Sequence, residues 1–111
     1  MNGSYLKGSL NFTRGQACSE KHESVILDLN EEGEIINIEI FGYSHIAGRP
    51  PNNCEIEWLV SQSIDVIFSP DDDVMSITTK FGENCMQRTS VAKFGFDERG
   101  NLVVISINYN N

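Results

Sequence analysis

The sequence is poor in bases and has no long apolar run. Eight Lys and Arg stand against 16 Asp and Glu in 111 residues, which gives a formal net charge of −8. Phosphate binding needs clustered Lys and Arg, so this deficit argues against nucleic acid as a direct partner. No apolar stretch is long enough to predict a transmembrane helix. The N-terminus lacks the basic and apolar regions of a signal peptide, so we expect a cytoplasmic protein.

Cysteine is also scarce. The chain has three, Cys18, Cys54 and Cys85, and they are widely spaced. An odd number without a CxxC pair excludes a complete disulfide framework. We expect reduced thiols that are wholly or partly buried, because free Cys is among the most buried residue types. Cys18 and His22 have the spacing of a metal-ligand pair, but no second pair accompanies them, so no zinc site is predicted.

Motifs for catalysis and cofactor binding are missing. The chain has no GxSxG, no HExxH and no Gly-rich phosphate loop. Its two histidines, His22 and His45, lie outside any nucleophile motif. The acidic run at 71–73 lacks the alternate acids, central Gly and late Glu of a calcium loop, so it predicts a hairpin turn. We therefore predict a protein that is not an enzyme and that has no cofactor or metal.

One pattern occurs twice. Residues 29–40 and 96–107 align at a spacing of 67, with one Glu, one Gly and two Ile identical. In each copy a turn tetrapeptide ending in Gly precedes a run in which apolar residues recur at alternate positions. This pattern predicts a β-hairpin with a type I turn closed by a left-handed Gly.

The strand pattern extends to most of the chain and predicts the fold class. We predict hairpins over 24–41, 64–79 and 91–107, a further strand near 5–13, and loops at 14–23 and 80–90. A single hairpin cannot bury its apolar face alone, so the hairpins must stack. The fold is therefore predicted to be mainly β, with antiparallel sheets from two related hairpin modules packed as a sandwich or half-barrel.

The modules divide one predicted domain, 1–111. Module one covers about 5–41 and lacks an opening strand, a connector covers 42–63, and module two covers 64–107. Within the connector, residues 54–62 follow a Pro-Pro pair and two Asn that can cap a helix, which favours one short helix. A strand over 55–60 is the alternative, because apolar residues at 56, 58 and 60 alternate.

The acids are concentrated in two stretches. Residues 20–39 hold seven acids against one Lys, and residues 55–73 hold six acids and no base. A field of this sign favours a cationic partner, although an acidic surface also serves solubility.

Residues 64–107 resemble, in their order of elements, a widespread family of short bacterial β proteins of unknown function. In that family a hairpin with an Asp-rich turn precedes a strand, an Asp/Asn-Glu-x-Gly turn and an Ile-x-Ile strand. Residues 24–41 match the latter part of the same pattern. The chain departs from it at Gly95, where an acid is usual. The resemblance implies the β class and no catalytic residues.

The whole profile is similar in kind to bacterial immunity proteins, including those of contact-dependent growth inhibition systems. These are small, acidic, cytosolic proteins without catalytic motifs, and each covers the active site of one toxin domain, commonly a basic nuclease. The resemblance implies an immunity protein that neutralises a basic toxin domain through an acidic face with an aromatic anchor. The candidate contact residues are Glu31, Glu32, Tyr43, Glu55, Glu57, Trp58, Asp71, Asp72 and Asp73. The alternative is a small-molecule-binding or structural β domain, with a cleft where the modules meet near the connector.

Overall fold

The computed structural model describes residues 9–108 with their side chains and residues 3–6 by their backbone. In chain order these residues form β1 (Gly3–Leu6), β2 (Ser9–Thr13), β3 (Ser19–Leu29), β4 (Ile35–Phe41), α1 (Tyr43–Ala47), α2 (Asn53–Val60), β5 (Asp65–Ser69), β6 (Val74–Thr78), β7 (Met86–Phe96) and β8 (Leu102–Asn108).

The strands form one antiparallel sheet in the order β1-β2-β8-β7-β3-β4-β6-β5. The sheet curls into a half-barrel. Its inner face holds the core, where Leu27, Ile38 and Phe94 are fully buried, and Leu59 of α2 packs into the same cluster. The predicted mainly β, antiparallel fold is confirmed, and it takes the half-barrel form.

A local twofold axis relates the two repeats and passes between the two long strands at the centre of the sheet. β3 and β7 pair along all 11 residues of each strand. Ser24 and Val91 are equivalent in the repeat, and they face one another at the middle of this pairing. The axis therefore passes between these two residues.

The repeat also extends into the loops before the long strands. Cys18 N–H donates to Phe96 O at 2.7 Å, and Cys85 N–H donates to Leu29 O at 2.9 Å. Both the donors and the acceptors are separated by the same 67 residues as the hairpins. The two loops therefore enter their long strands in the same way.

The short hairpins are exchanged between the repeats. β2 pairs with β8, and β6 pairs with β4, so each short hairpin joins the closing strand of the other module's long hairpin. The strand expected near 5–13 is two strands, because β1 pairs back onto β2. The expectation that module one lacks its opening strand is therefore wrong. β1 has only 4 residues, too few for alternation to mark it.

Both long hairpins have the predicted turn. Asn30 Oδ1 accepts hydrogen bonds from the backbone N–H groups two and four residues further on, and Asp97 Oδ1 does the same. Gly33 and Gly100 have φ of 81° and 82°, the left-handed region that Gly adopts without steric cost. The same local chemistry thus builds both turns.

The long strands begin earlier than predicted. β3 starts at residue 19 and β7 at residue 86, so the loops predicted at 14–23 and 80–90 are too long. The first halves of both strands are mostly exposed, and each pairs with the buried half of the opposite strand. They project beyond the core, and the apolar alternation that marks a half-buried strand is absent from them.

The connector contains two helices. The predicted helix is confirmed as α2, whose N-cap Asn52 accepts from Glu55 N–H in a capping box. The other helix, α1, was not predicted, because its N-terminal N–H groups are satisfied from a distant turn. Asp73 O accepts from Gly42 N–H and Tyr43 N–H, and the Asp73 carboxylate accepts from Ser44 N–H at 3.0 Å.

The burial predicted for the cysteines is wrong. Cys18, Cys54 and Cys85 are free thiols, and all three are exposed. Cys18 and Cys85 precede the exposed halves of the long strands, and Cys54 lies in the first turn of α2, on the side away from the core. No helix in the described part of the chain is long and apolar enough to cross a membrane.

Gly95 marks a close approach that the other repeat does not share. An added Cβ at Gly95 would lie 2.8 Å from Ala17 Cβ and 2.9 Å from Val104 Cβ, whereas the equivalent position in β3 holds Asp28. We predict that Gly95→Ala lowers the free energy of unfolding by about 2 kcal/mol, because the crowded neighbours must shift. Urea denaturation measures this loss.

Gly15→Ala is the matched control. Its added Cβ would lie 3.6 Å from Val103 Cγ1, an ordinary contact. We expect its free energy of unfolding to stay within about 0.5 kcal/mol of the parent. Equal stability of the two variants would contradict the crowding at Gly95.

Candidate functional site

The structure places three of the predicted contact residues in the interior. Glu55 and Tyr43 are 0% exposed, and Trp58 is 8% exposed. The expectation that these residues contact a partner is corrected accordingly. Glu55 and Trp58 are three residues apart on α2, so both side chains point toward the sheet. Tyr43 is the first residue of α1, and its ring packs against Phe68 of β5.

Glu55 is the centre of a buried ionic network. Its carboxylate accepts two hydrogen bonds of 2.9 Å from the Arg49 guanidinium, one of 2.6 Å from Leu102 N–H and one of 2.8 Å from Asn52 N–H. Arg49 also donates to Gly100 O. The network therefore ties the connector to the β7–β8 turn and leaves no Glu55 charge for a partner.

The pKa of Glu55 reflects this network. Burial acts to raise the pKa of the carboxyl group, but the hydrogen bonds from Arg49, Leu102 and Asn52 outweigh burial, and the pKa is lowered. For the partner group the shift is in the opposite direction, since the hydrogen bond to Glu55 raises the pKa of Arg49. Both groups are thus held in their charged forms in the folded protein.

The two interior aromatic residues are packing groups. The Arg14 guanidinium carbon lies 4.9 Å from the Trp58 ring centroid, a cation–π distance. Burial, followed by the Glu55 charge, raises the pKa of Tyr43. Tyr43 Oη and Trp58 Nε1 have no hydrogen-bond partner among the described residues.

The acidic run at 71–73 forms the predicted turn and does not act as one surface. Asp71 and Asp72 are exposed, whereas Asp73 has a φ of 53° and caps α1. Burial acts to raise the Asp73 pKa, but hydrogen bonds from Ser44 lower it overall. Asp73 is therefore already satisfied, and two acids of this run remain available.

The remaining predicted acids do not share one patch. Glu31 and Glu32 precede β4, and the β5–β6 turn lies beside the other end of β4, where Phe41 faces Val74. Seven residues of β4 separate these ends by about 20 Å. Glu57 is exposed on α2.

An acidic exposed surface lies at the Glu31 and Glu32 end of the sheet. It combines the β3–β4 turn, residues 30–34, with the loop between β6 and β7, residues 79–85, and we call it the acidic tip. These residues include four acids and one base. Glu31, Glu32 and Glu83 line a shallow depression of about 230 Å³ together with Asn30 and Cys85.

An ion pair holds the two parts of the acidic tip together. Lys80 Nζ lies 2.6 Å from Glu34 Oε2. Hydrogen bonds from Lys80 and then Asn30 lower the pKa of Glu34 to about 2. The tip's one base is thereby neutralised by Glu34, and the charges that remain around the depression are negative.

An exposed aromatic ring stands within the acidic tip. Phe81 is 89% exposed, and Met86 at the start of β7 is 45% exposed. Phe81 was not predicted as a contact residue, because Trp58 and Tyr43 were the expected aromatic anchors. The loop before β7 spans residues 79–85, whereas the equivalent loop before β3 spans 14–18, and this length difference was the available signal.

Nothing in the described residues suggests a metal centre, since no group of three or more His, Cys, Asp or Glu side chains is arranged to hold an ion. A scan against protein-family models, a search of curated proteins and a search of solved structures each found no match.

The buried network gives a stability prediction. We expect Glu55→Gln to lower the free energy of unfolding at pH 7 by about 3 kcal/mol, because Arg49 loses its buried partner. The folded-state pKa of Glu55 is lowered, so its stabilisation is present above the unfolded pKa of about 4.3 and lost as pH falls below it. The stability of Glu55→Gln should therefore fall less steeply with acid, as measured by urea denaturation across this pH range.

Glu57→Gln, on an exposed position of the same helix, controls for the loss of a helix charge. Its stability at pH 7 should stay within about 0.5 kcal/mol of the parent. If Glu55→Gln were as stable as Glu57→Gln, the network would not hold the connector.

Proposed function

We propose that this protein is a cytoplasmic immunity protein, of the contact-dependent growth inhibition type, that binds a basic toxin domain and covers its active site. A nuclease is the toxin class that suits an acidic inhibitor, because a nuclease site holds phosphates with Lys and Arg. The observation that carries the proposal is the acidic tip, where three exposed carboxylates surround a depression beside an exposed aromatic ring.

The charge of the acidic tip supports fast and selective association. Complementary charges steer encounter and raise the association rate, and added salt weakens this effect. The hydrogen bond and ion pair between Lys80 and Glu34 fix the loop against the turn. The carboxylates at the depression therefore need little ordering when a cationic surface approaches.

Phe81 supplies the apolar contact that charge alone does not. Aromatic residues near the centre of an interface commonly carry much of its binding energy when surrounding groups exclude water. Phe81 lies between Lys80 and Gly82, and a Cβ at Gly82 would lie 4.0 Å from Asn30 Cβ. The loop backbone that carries Phe81 therefore lies beside the turn that carries Glu31 and Glu32.

Binding to the product of the gene immediately upstream tests the proposal, because immunity genes lie beside their toxins. We expect the tagged protein to retain a basic polypeptide encoded there. Phe81→Ala should weaken this binding about 30-fold. The combined variant Glu31→Gln, Glu32→Gln and Glu83→Gln should slow association and flatten its salt dependence, as measured by biolayer interferometry.

The matched control is the pair Asp71→Asn and Asp72→Asn, which removes exposed acids from the opposite end of the sheet. This variant should bind like the parent. The proposal fails if the neighbouring gene encodes a housekeeping enzyme and no basic partner is retained, or if the two sets of variants weaken binding equally.

The second candidate function is small-molecule binding, and one observation favours it. An open cleft of about 430 Å³ lies where the two modules and the connector meet. It is lined by Arg14, Gly15, Gln16, Cys54, Asp97, Asn101 and Val103. The cleft is at the β7–β8 turn, on the opposite end of the sheet from the acidic tip, so the two functions do not compete for one surface.

A further inference from the structure

The cleft at the module junction contains an arginine that is fixed but has no anionic partner. Arg14 Nε donates to Leu102 O at 3.0 Å, and the guanidinium lies over the Trp58 ring. Among the described residues, Arg14 forms no ion pair, whereas Arg49, Lys80 and Lys93 each pair with an acid. Arg88 and Arg99 also form no ion pair in the described part of the chain, but they do not line the cleft, so Arg14 is the guanidinium available to a ligand there.

The fixed position of the Arg14 guanidinium favours binding of a carboxylate. The guanidinium has a fixed fork of donors that matches a carboxylate, and little rotamer freedom is lost when it is already held. Its two terminal nitrogens have no hydrogen-bond partner in the described part of the chain. Arg14 also lines the cleft, so a ligand carboxylate there can reach these nitrogens.

A carboxylate lies in the same cleft. Asp97 accepts hydrogen bonds from Asn101 N–H and Arg99 N–H through Oδ1. These bonds lower the Asp97 pKa, Asn101 first, against the effect of burial, and the Arg14 charge lowers it further. Asp97 and Arg14 both line the cleft, yet they form no ion pair with one another. A ligand that carries an ammonium and a carboxylate can satisfy both.

We propose that this cleft binds a free α-amino acid, with its carboxylate on Arg14 and its ammonium on Asp97. The inference rests on the second candidate function and names its ligand class. The side chain of the amino acid would lie toward Val103 and the aliphatic part of Gln16, which also line the cleft. The size of this space decides which amino acid binds.

The equivalent position in the other repeat, at the opposite end of the sheet, has different side chains from the cleft. The depression in the acidic tip lies between the same turn and loop of the repeat, with Asn30 where the cleft has Asp97 and Glu83 where it has Gln16. Within the part of the chain that the structure describes, no Arg lines that depression. The two equivalent positions therefore differ in charge. The depression in the acidic tip is acidic, whereas the cleft has one positive and one negative side chain. A free amino acid, which carries both charges, fits the cleft alone.

Thermal-shift measurements with each standard L-amino acid, tested singly, provide the first experiment. We expect at least one to raise the Tm of the full chain. Titration calorimetry then compares that amino acid with its des-amino acid and its decarboxylated amine, each of which should bind about tenfold more weakly or worse. If no amino acid raises the Tm, or if the analogues bind as well, the inference is overturned.

Two variants locate the ligand. Arg14→Gln and Asp97→Asn should each weaken binding about tenfold or more, and Asn30 in the equivalent turn shows that Asn at 97 keeps the turn intact. Arg99→Gln removes an exposed charge from the same turn but does not line the cleft, so it should bind like the parent. Equal losses in all three variants would contradict the assigned contacts.

Alkylation of the exposed cysteines separates failure of this inference from failure of the function. A bound amino acid should slow iodoacetamide modification of Cys54, which lines the cleft, and leave Cys85 unchanged. If metabolites of another class protect Cys54 while no amino acid does, small-molecule binding stands and the amino-acid inference fails. If nothing protects Cys54, both fail.

Discussion

The pairing of β3 with β7 is the interaction on which the rest of the structure depends. Each long hairpin has one apolar face that it cannot cover alone. The central pair joins the two hairpins over all 11 residues of each long strand, and the sheet is curled so that their apolar faces enclose one core. The short hairpins then extend the sheet on both sides, each attached to the opposite repeat. The two modules are therefore interlocked, and neither can keep its buried face without the other.

Local chemistry explains the parts of the fold that the sequence predicts. The paired turns follow from an Asn or Asp and a Gly at fixed positions, and α2 follows from Asn52 and a first-turn Glu. The parts that were missed depend on contacts between distant residues. α1 is capped by Asp73 from another hairpin, and the exposed halves of β3 and β7 are strands only because each pairs with the buried half of the other.

The candidate site shows the same division. The sequence indicated which stretches are acidic, and Glu31 and Glu32 do lie on the surface. It could not indicate that Glu55 is enclosed by Arg49 and Leu102, because that network spans the connector and the last hairpin. Nor could it indicate that Phe81, and not Trp58, is the exposed aromatic residue. Residue type predicts the charge of a surface, whereas burial is decided by tertiary packing.

Duplication followed by divergence connects the fold with the proposed functions. The turn and loop of each repeat create two equivalent positions at opposite ends of one sheet, and their side chains differ, with Glu83 at one and Gln16 at the other. We propose that the acidic tip is the partner-binding surface. Hydrogen–deuterium exchange of the protein with and without the upstream gene product tests it most directly. We expect protection of residues 30–34 and 79–86. Protection confined to 70–73 or 97–101 would contradict it.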